Sequence, residues 1–318
     1  MTGSNPPFRT ETRPYGMAAI AAAATLIRDG GAVAMPTETV YGLAADATDS
    51  AAVARIYEAK GRPGFNPLIV HVKDRAAAGN YALFDAAAEA LAAAFWPGPL
   101  TLVLPRAPGS PIASLATAGL PTIAIRCPAH PAMQALLAAS GRPLAAPSAN
   151  ASGRISPTRA EHVLASLDGR IPLIVDAGPT EQGLESTIVA PGADVVRLLR
   201  PGPITAEAIA AATGLRVEAV TAGDAIEAPG QLASHYAPSK PLRLEADAAR
   251  PGEWLIGFGT VGGDATLSAA GDLTHAAARL FDLLHQADAS DAAAIAVAPV
   301  PRTGLGLAIN DRLARAAV

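Results

Sequence analysis

Four blocks of polar residues stand where this sequence could do chemistry: Pro36-Thr37-Glu38-Thr39-Val40-Tyr41-Gly42, the stretch from Lys60 through Arg62 and Asn66 to His71, Pro147-Ser148-Ala149-Asn150, and Glu185-Ser186-Thr187. Each lies where an apolar run meets a proline or glycine break, the place at which an α/β sheet presents side chains to a ligand. The Lys60–His71 stretch is the densest. Lys60 reads as the last turn of a helix, where the helix dipole favours a cation in any case. Pro63, however, pushes Arg62 out of the helix into extended backbone, and Asn66-Pro67 turns the chain into a strand, so two cations and an amide gather at one edge. On that strand Leu68, Val70 and Val72 share one face, and Ile69, His71 and Lys73 share the other. The set suits recognition of phosphate or carboxylate groups.

The run Thr122-Ile123-Ala124-Ile125-Arg126 repeats the logic, with Thr122, Ala124 and Arg126 on one face and the two isoleucines on the other. An arginine on a small, polar face can hold a carboxylate bidentately; an edge strand would instead leave it in solvent. Neighbouring Cys127 has no readable histidine partner and reads as a packed small residue rather than a nucleophile. Pro147–Gly153, followed by Ser156-Pro157-Thr158, is a run of small donors leading into a helix N-terminus, suited to phosphate or ribose oxygens, although a serine-rich loop with a cap looks the same. Glu185-Ser186-Thr187 and Arg200-Pro201-Gly202 are commonplace when taken alone.

The elements that must position these residues follow from apolar periodicity, which alternates between strand and helix through roughly the first 220 residues and argues for an α/β layer architecture. Strands are expected at 32–35, 68–72, 100–104, 122–126, 173–176, 187–189 and 195–199, and helices at 18–27, 50–60, 86–95, 131–139, 159–167 and 206–212. Asp49 is expected to cap the second helix with Gly61 ending it, and Thr158 with Glu161 to form a capping box. From Thr221 to Pro241 the pattern breaks into a proline-rich linker. A second αβ pattern follows, with strands at 254–258 and 294–298 flanking a helix at 274–286. The expected division is therefore a catalytic domain over 1–222, a linker over 223–241 and a small C-terminal α/β domain over 242–318.

Composition narrows the classes. The chain has 318 residues, 50% hydrophobic and 16% charged, with a net charge of -4 and one cysteine. It can bury two cores, gives no whole-chain electrostatic case for nucleic acid, and fits a reducing compartment without internal disulfides. Arg9 and Arg13 before an alanine-rich run loosely imitate a signal peptide, but the run ends at Gly30-Gly31 without a cleavage pattern, so a cytoplasmic location is expected. No stretch is long and apolar enough to span a bilayer. There is no P-loop, and the six histidines lack metal-ligand spacing, so no structural metal is expected. Gly257-Phe258-Gly259-Thr260-Val261-Gly262 matches a dinucleotide fingerprint but continues as loop instead of opening a helix.

In this order, the motifs Pro-Thr-Glu-Thr-Val-Tyr-Gly-Leu (36–43), Lys-x-Arg-Pro-x-x-Asn-Pro-Leu-Ile-x-His (60–71), Trp-Pro-Gly-Pro-Leu-Thr (96–101), Pro-Ser-Ala-Asn-x-Ser-Gly (147–153), Glu-Ser-Thr-Ile-Val (185–189) and His-Tyr-Ala-Pro (235–238) resemble the YrdC-type threonylcarbamoyl-AMP synthases in their long, two-domain form. The resemblance implies a twisted, open, mixed sheet with a large cleft and a small Rossmann-like C-terminal α/β domain tethered by a linker able to lie over it. It implies formation of L-threonylcarbamoyl-AMP and pyrophosphate from L-threonine, bicarbonate and ATP with Mg2+, and delivery to proteins that transfer the group to tRNA. Carried over, Thr39, His71, Arg126, Ser148 and Ser186 hold threonine. Lys60, Arg62, Asn66, Thr122, Asn150, Ser156, Thr158 and Arg200 lie on the ATP side, Tyr236 closes over the nucleotide, and Lys60 and Arg62 carry the catalytic electrostatics, Arg62 from an exposed loop. A non-catalytic RNA-binding module is the alternative; Arg55, Lys60, Arg62, Lys73 and Arg75 would form its basic patch.

Overall fold

The computed structural model describes residues 8–64, 66–220, 228 and 235–318. Most of the expected linker, including Gln231 to Ser234, lies outside the described residues. In chain order the elements are β1 (Glu11–Pro14), α1 (Met17–Arg28), β2 (Val33–Met35), β3 (Gly42–Asp46), α2 (Ser50–Lys60), β4 (Ile69–His71), α3 (Arg75–Ala78), α4 (Ala86–Phe95), β5 (Leu100–Pro105), β6 (Thr122–Arg126), α5 (Pro131–Ser140) and β7 (Leu144–Ala145). They continue with α6 (Ala160–Leu167), β8 (Leu173–Asp176), β9 (Thr187–Pro191), β10 (Val195–Arg200), α7 (Ala206–Thr213), β11 (Arg216–Ala219), β12 (Leu242–Arg243), β13 (Glu253–Gly257), β14 (Ala265–Thr266), α8 (Leu273–Ala289), β15 (Ala294–Val297) and α9 (Leu305–Ala316).

The first eleven strands form one mixed sheet in the order β1-β8-β2-β3-β7-β4-β6-β5-β9-β10-β11. Alternation along each strand sends side chains to two layers. One face is packed by α2, α4, α6 and α7 through Ile56, Leu91, Val163 and Ile209, which meet Leu43, Val70, Leu102, Ile123 and Ile125. On the opposite face α1 and α5 cover Val33, Met35, Ala44 and Val175. Further along that face, Ile69, Val103, Ala124, Ile188 and Leu199 form a patch that contains no helical residue. Ala228 packs against this patch, and Ile69 also lines the cavity described below.

The remaining strands make a parallel four-stranded sheet, β12-β15-β13-β14, packed by α8 and α9. Val40, Ile155 and Leu184 of the first domain and Tyr236 of the linker are buried in this second core. Polar contacts add to the docking: Arg159 Nε meets Asp282 Oδ1 at 2.7 Å, and the rings of His162 on α6 and His285 on α8 stack with centroids 3.8 Å apart.

Local expectations hold where the chemistry is local. Asp49 accepts from the Ala51 N–H, and Gly61 ends α2 in the left-handed region at φ 61°. The capping box does not form. Arg159 is the N-cap of α6 without a side-chain bond, and Thr158 instead faces His162 Nδ1. The dinucleotide look-alike is a turn between β13 and β14, with Phe258 bridged to Val261.

Gly183 sits at φ 68°, and a Cβ there would lie 2.5 Å from backbone atoms of Ala277 and Ala278 on α8. Close approach of the two domains depends on that missing atom. Gly183→Ala is expected to lose roughly 2 kcal/mol and to lower Tm by roughly 4–8 °C in calorimetry. An unchanged Tm would contradict the packing described.

Candidate active site

The cleft is assembled from loops stitched to one another before any ligand arrives. The Pro36–Gly42 turn is held by Thr37 Oγ1, which donates to the Val40 carbonyl at 2.6 Å and lies 2.8 Å from Thr39 Oγ1. Backbone bonds from Leu43 N to Pro147 O and from Ala149 N to Tyr41 O, 2.7 and 2.8 Å, join this turn to the Ser148–Asn150 loop. Lys60, at the end of α2, donates its Nζ to the carbonyls of Ser148 and Asn150, at 2.6 and 2.5 Å. Expected beside Arg62 as a phosphate cation, Lys60 therefore fixes the loop from behind and does not line the cavity. Burial, reinforced by the charge of Arg62, presses its pKa well below the usual lysine value.

Arg62 is only 9% exposed, against the expected exposed loop. The left-handed Gly61 folds the chain back after α2, with Arg62 N–H donating to the Tyr57 carbonyl, and carries the guanidinium inward. There its Nη2 donates to Pro67 O at 3.1 Å. Arg200 is buried likewise; its Nε and Nη2 donate to the Ser186 carbonyl at 3.1 and 2.9 Å. Among the described residues neither forms an ion pair. Burial draws Arg62 down to about 10 and also lowers Arg200, the direction expected for a cation stripped of water without a compensating anion.

Arg126 behaves differently. Pairing with β4 and β5 places β6 inside the sheet, not at its edge, and Arg126 is 3% exposed. Its Nη2 meets Glu38 Oε1 at 2.6 Å, Nη1 donates to Thr39 Oγ1 at 2.9 Å and Nε to Gly98 O at 3.1 Å. Gly98 is required in this loop, since a Cβ would stand 2.4 Å from the Phe95 carbonyl. Burial would raise Glu38, but the charge of Arg126, its hydrogen bond and backbone N–H groups together hold the carboxyl below its usual value. His71 is buried on β4 beside Arg126; burial and that charge press it to about 3, so it is neutral.

Thr39, Arg62, His71, Arg126, Ser148, Ser186, Arg200 and Tyr236 all line one cavity of about 50 Å³, with His235. Lys60, Asn66, Thr122, Asn150, Ser156 and Thr158, also expected at the site, do not line it. Asn150 accepts from Lys60, Asn66 supports Arg62 and Tyr57 through its carbonyl, and Ser156 donates to Glu185. Thr158 is buried at the start of α6. Thr122 shares the face of Arg126 but sits four residues away along β6, about 13 Å, across the small side chain of Ala124. A ligand touching both would have to be long. Cys127 is packed, its Sγ 3.2 Å from the Lys73 carbonyl, and burial pushes the thiol up to about 11.

Tyr236 roofs the cavity. Its backbone is left-handed at φ 66°, a conformation that costs a bulky residue on the order of 1–3 kcal/mol. It is held there by His235 N–H donating to Arg315 O and Ala237 N–H donating to Gly153 O, 3.1 and 2.8 Å. Among the described residues, Asn66 Oδ1, His235 Nδ1, Tyr236 OH and Glu38 Oε2 are buried polar atoms without a partner, a set of groups that native interiors normally satisfy. The cavity volume is below the few hundred Å³ typical of a small-molecule site.

Three functional residues escaped the sequence reading. Glu38 and Glu185 were visible only as letters within motifs. Arg312 was missed altogether, although a lone arginine on the apolar stripe Leu305, Ala308, Ile309, Leu313, Ala316 signals a buried ion pair. It bonds Glu185 Oε2 at 2.8 Å.

The fold and cleft define a YrdC-like mixed α/β domain that carries a small second α/β domain. The Sua5/YciO/YrdC model, described as telomere recombination, matches residues 25–202, and the model for the threonylcarbamoyl-AMP synthase C-terminal domain matches residues 204–318. Threonylcarbamoyl-AMP synthase of Bacillus subtilis is 44% identical over 94% of this chain and 92% of its own. That of Pyrococcus abyssi is 40% identical over 92% of each chain. The crystal structure of P. abyssi Sua5 complexed with L-threonine superposes with TM-score 0.87 at 38% identity, covering 97% of both chains. E. coli YciO, 23% identical with TM-score 0.53 over 61% of this chain, shares the fold. The chain belongs to the Sua5/YrdC family of threonylcarbamoyl-AMP synthases.

Burial also holds His162 and His235 at about 3 and lowers His285. With His71, these are neutral in the folded state and regain an ordinary pKa near 6.5 when unfolded. Their stability contribution is complete above about pH 6.5 and is lost as pH falls below it, by roughly 2 kcal/mol at pH 5 for each of His71, His162 and His235. Calorimetry from pH 7.5 to pH 5 should show a steep fall in Tm; a flat profile would contradict the neutral, buried assignment.

Proposed function

We propose that this protein condenses L-threonine, bicarbonate and ATP into L-threonylcarbamoyl-AMP and pyrophosphate, the activated group for modification of tRNA. The observation that carries this reading is a pair of buried guanidinium groups, Arg62 and Arg200, that face one cavity and, among the described residues, have no carboxylate partner. Such groups favour a polyanion strongly, because charge-assisted bonds formed out of water are shielded little.

Threonine belongs at the Arg126 end. Its carboxylate would share the Arg126 fork with Glu38, and its hydroxyl would meet Thr39 or the neutral ring of His71, with Ser148 and Ser186 completing the pocket. The nucleotide belongs toward Arg62, Arg200, Ser156 and Thr158, with Thr122 and Asn66 further along the sheet face. Lys60 acts through the Ser148–Asn150 loop, and Tyr236 closes over the ligand. Bicarbonate takes up a proton and loses water to give carbon dioxide, which the threonine amine captures with release of a proton to give a carbamate; a carbamate oxygen attacks the α-phosphorus of ATP, and the bond from that phosphorus to the departing pyrophosphate breaks. Catalysis is then alignment of two reactants plus stabilisation of charge on the phosphates by Arg62 and Arg200. A lowered roof would keep water from the mixed anhydride.

Among the described residues no group of three or more His, Cys, Asp or Glu could hold a metal ion, and both cleft carboxylates are occupied by arginines. Magnesium is therefore assigned to the ATP phosphates as part of the substrate, the usual arrangement for an ion that keeps most of its water. The product would pass to proteins that transfer the threonylcarbamoyl group to tRNA, in the cytoplasm; no described helix is long and apolar enough to cross a membrane. We also take 1–222, 223–241 and 242–318 as catalytic domain, linker and C-terminal domain. Of the residues of the alternative RNA patch, Arg55 and Lys73 are exposed and Arg75 is half-buried, with Lys73 beside Asp74 at 3.8 Å, so the patch is smaller than the five residues suggest. Lys60 and Arg62 are buried, Arg55 donates to the Gly30 carbonyl, and Arg75 is paired with Glu89.

Pyrophosphate release from Mg-ATP should require both L-threonine and bicarbonate; release indifferent to threonine would reject the reading. Arg62→Ala is expected to lower kcat/KM for ATP by about 100-fold or more with unchanged circular dichroism, and wild-type turnover in that variant would remove Arg62 from the chemistry.

A further inference from the structure

Arg312 is wholly buried although it belongs to α9 of the second domain. Its Nε donates to Glu185 Oε2 at 2.8 Å and its Nη1 to Asp311 Oδ2 at 2.7 Å, while Ser156 Oγ bonds the other oxygen of Glu185. Its guanidinium also lies 5.4 Å from the centre of the Tyr236 ring. The next turn of the helix offers the Arg315 carbonyl to His235. Two walls of the cleft, Glu185 and the roof, thus end on one stretch of α9.

Docking alone does not account for this pair. Val40, Ile155, Leu184 and Tyr236 already supply an apolar interface, and a buried ion pair adds little stability over an apolar substitute. What the pair changes is the charge left in the cleft. Glu185 adjoins Ser186, whose carbonyl and hydroxyl are the partners of Arg200, and both Glu185 and Arg200 feel one another's charge. With both carboxylate oxygens bound elsewhere, Glu185 leaves Arg200 without a direct anionic partner.

We propose that Arg312 is a positioning residue for ATP binding: it sequesters Glu185 on the second domain and so keeps Arg200 free to meet phosphate. The inference rests on the functional reading above and adds to it a role for the C-terminal domain in setting the cleft's charge. When Arg312 is removed, Glu185 is released to pair with Arg200 and competes with ATP; threonine, at the Arg126 end, is unaffected.

The test is a double-mutant cycle read by calorimetric binding of Mg-ATP and of L-threonine, which needs no turnover. Arg312→Gln is expected to weaken Mg-ATP binding at least tenfold while threonine Kd stays within twofold. Adding Glu185→Gln should bring the Mg-ATP Kd back to within threefold of wild type, a rescue that a purely structural role would not give. Unchanged Mg-ATP affinity in folded Arg312→Gln, equal weakening for both ligands, or a double variant no better than the single would each overturn the proposal. Should Arg312→Gln fail to fold, the double variant decides: folded with near-wild-type Mg-ATP affinity supports the proposal, and folded with tenfold weaker affinity or unfolded overturns it. If wild-type protein binds Mg-ATP but releases no pyrophosphate with threonine and bicarbonate, the functional reading fails while the cycle still reports on Arg312.

Discussion

The burial of positive charge without a matching negative partner is the constraint on which the rest of this structure depends. Arg62 and Arg200 are withdrawn from water and bonded only to carbonyl and hydroxyl groups, an arrangement that costs folding energy until an anion arrives. The acids whose charge Arg200 feels, Glu185 and Asp311, are both bonded to Arg312. The cleft is consequently a preformed electrostatic deficit, and phosphate is the ligand chemistry that fills it.

Architecture supplies the rigidity that such a deficit requires. The guanidinium of Arg62 is placed by a helix stop at Gly61, that of Arg200 by the end of β10, and Arg126 by a strand paired on both sides. The second domain completes the site from outside, by anchoring the roof residue Tyr236 in a backbone conformation it would not choose alone and by holding Glu185.

Much of this was legible in the residues. Local signals sufficed where one interaction decides, as with Asp49 and Gly61 around α2 or the strand ending at Arg126, whose alternation correctly separated the cleft face from the core face. Several strands that escaped are fixed by partners distant in the chain, whereas α3 and α9 escaped despite a local cap and an apolar stripe of their own. β3 and β7 are short and buried, held by the neighbours they pair with, and β1 is exposed and polar but docks on β8. Thr158 looked like a cap but is drawn to His162, at an interface with α8 that local sequence does not announce. Arg62 was read as exposed because proline-flanked arginines usually are; its burial follows from the fold-back at Gly61 and from a roof contributed some 170 residues later. Arg312 needed the helical stripe of α9 to be weighed for a charge on its apolar side.

The most direct test of the charge-deficit account is the thermal midpoint of wild type and Arg62→Met, each with and without saturating Mg-ATP. The account predicts that the variant, relieved of a desolvated cation, melts at or above wild type when unliganded, and that the rise in Tm produced by Mg-ATP in wild type largely disappears in the variant. A variant that melts well below wild type yet retains the full Mg-ATP-induced rise would contradict it, because Arg62 would then stabilise the fold and contribute nothing to the phosphates.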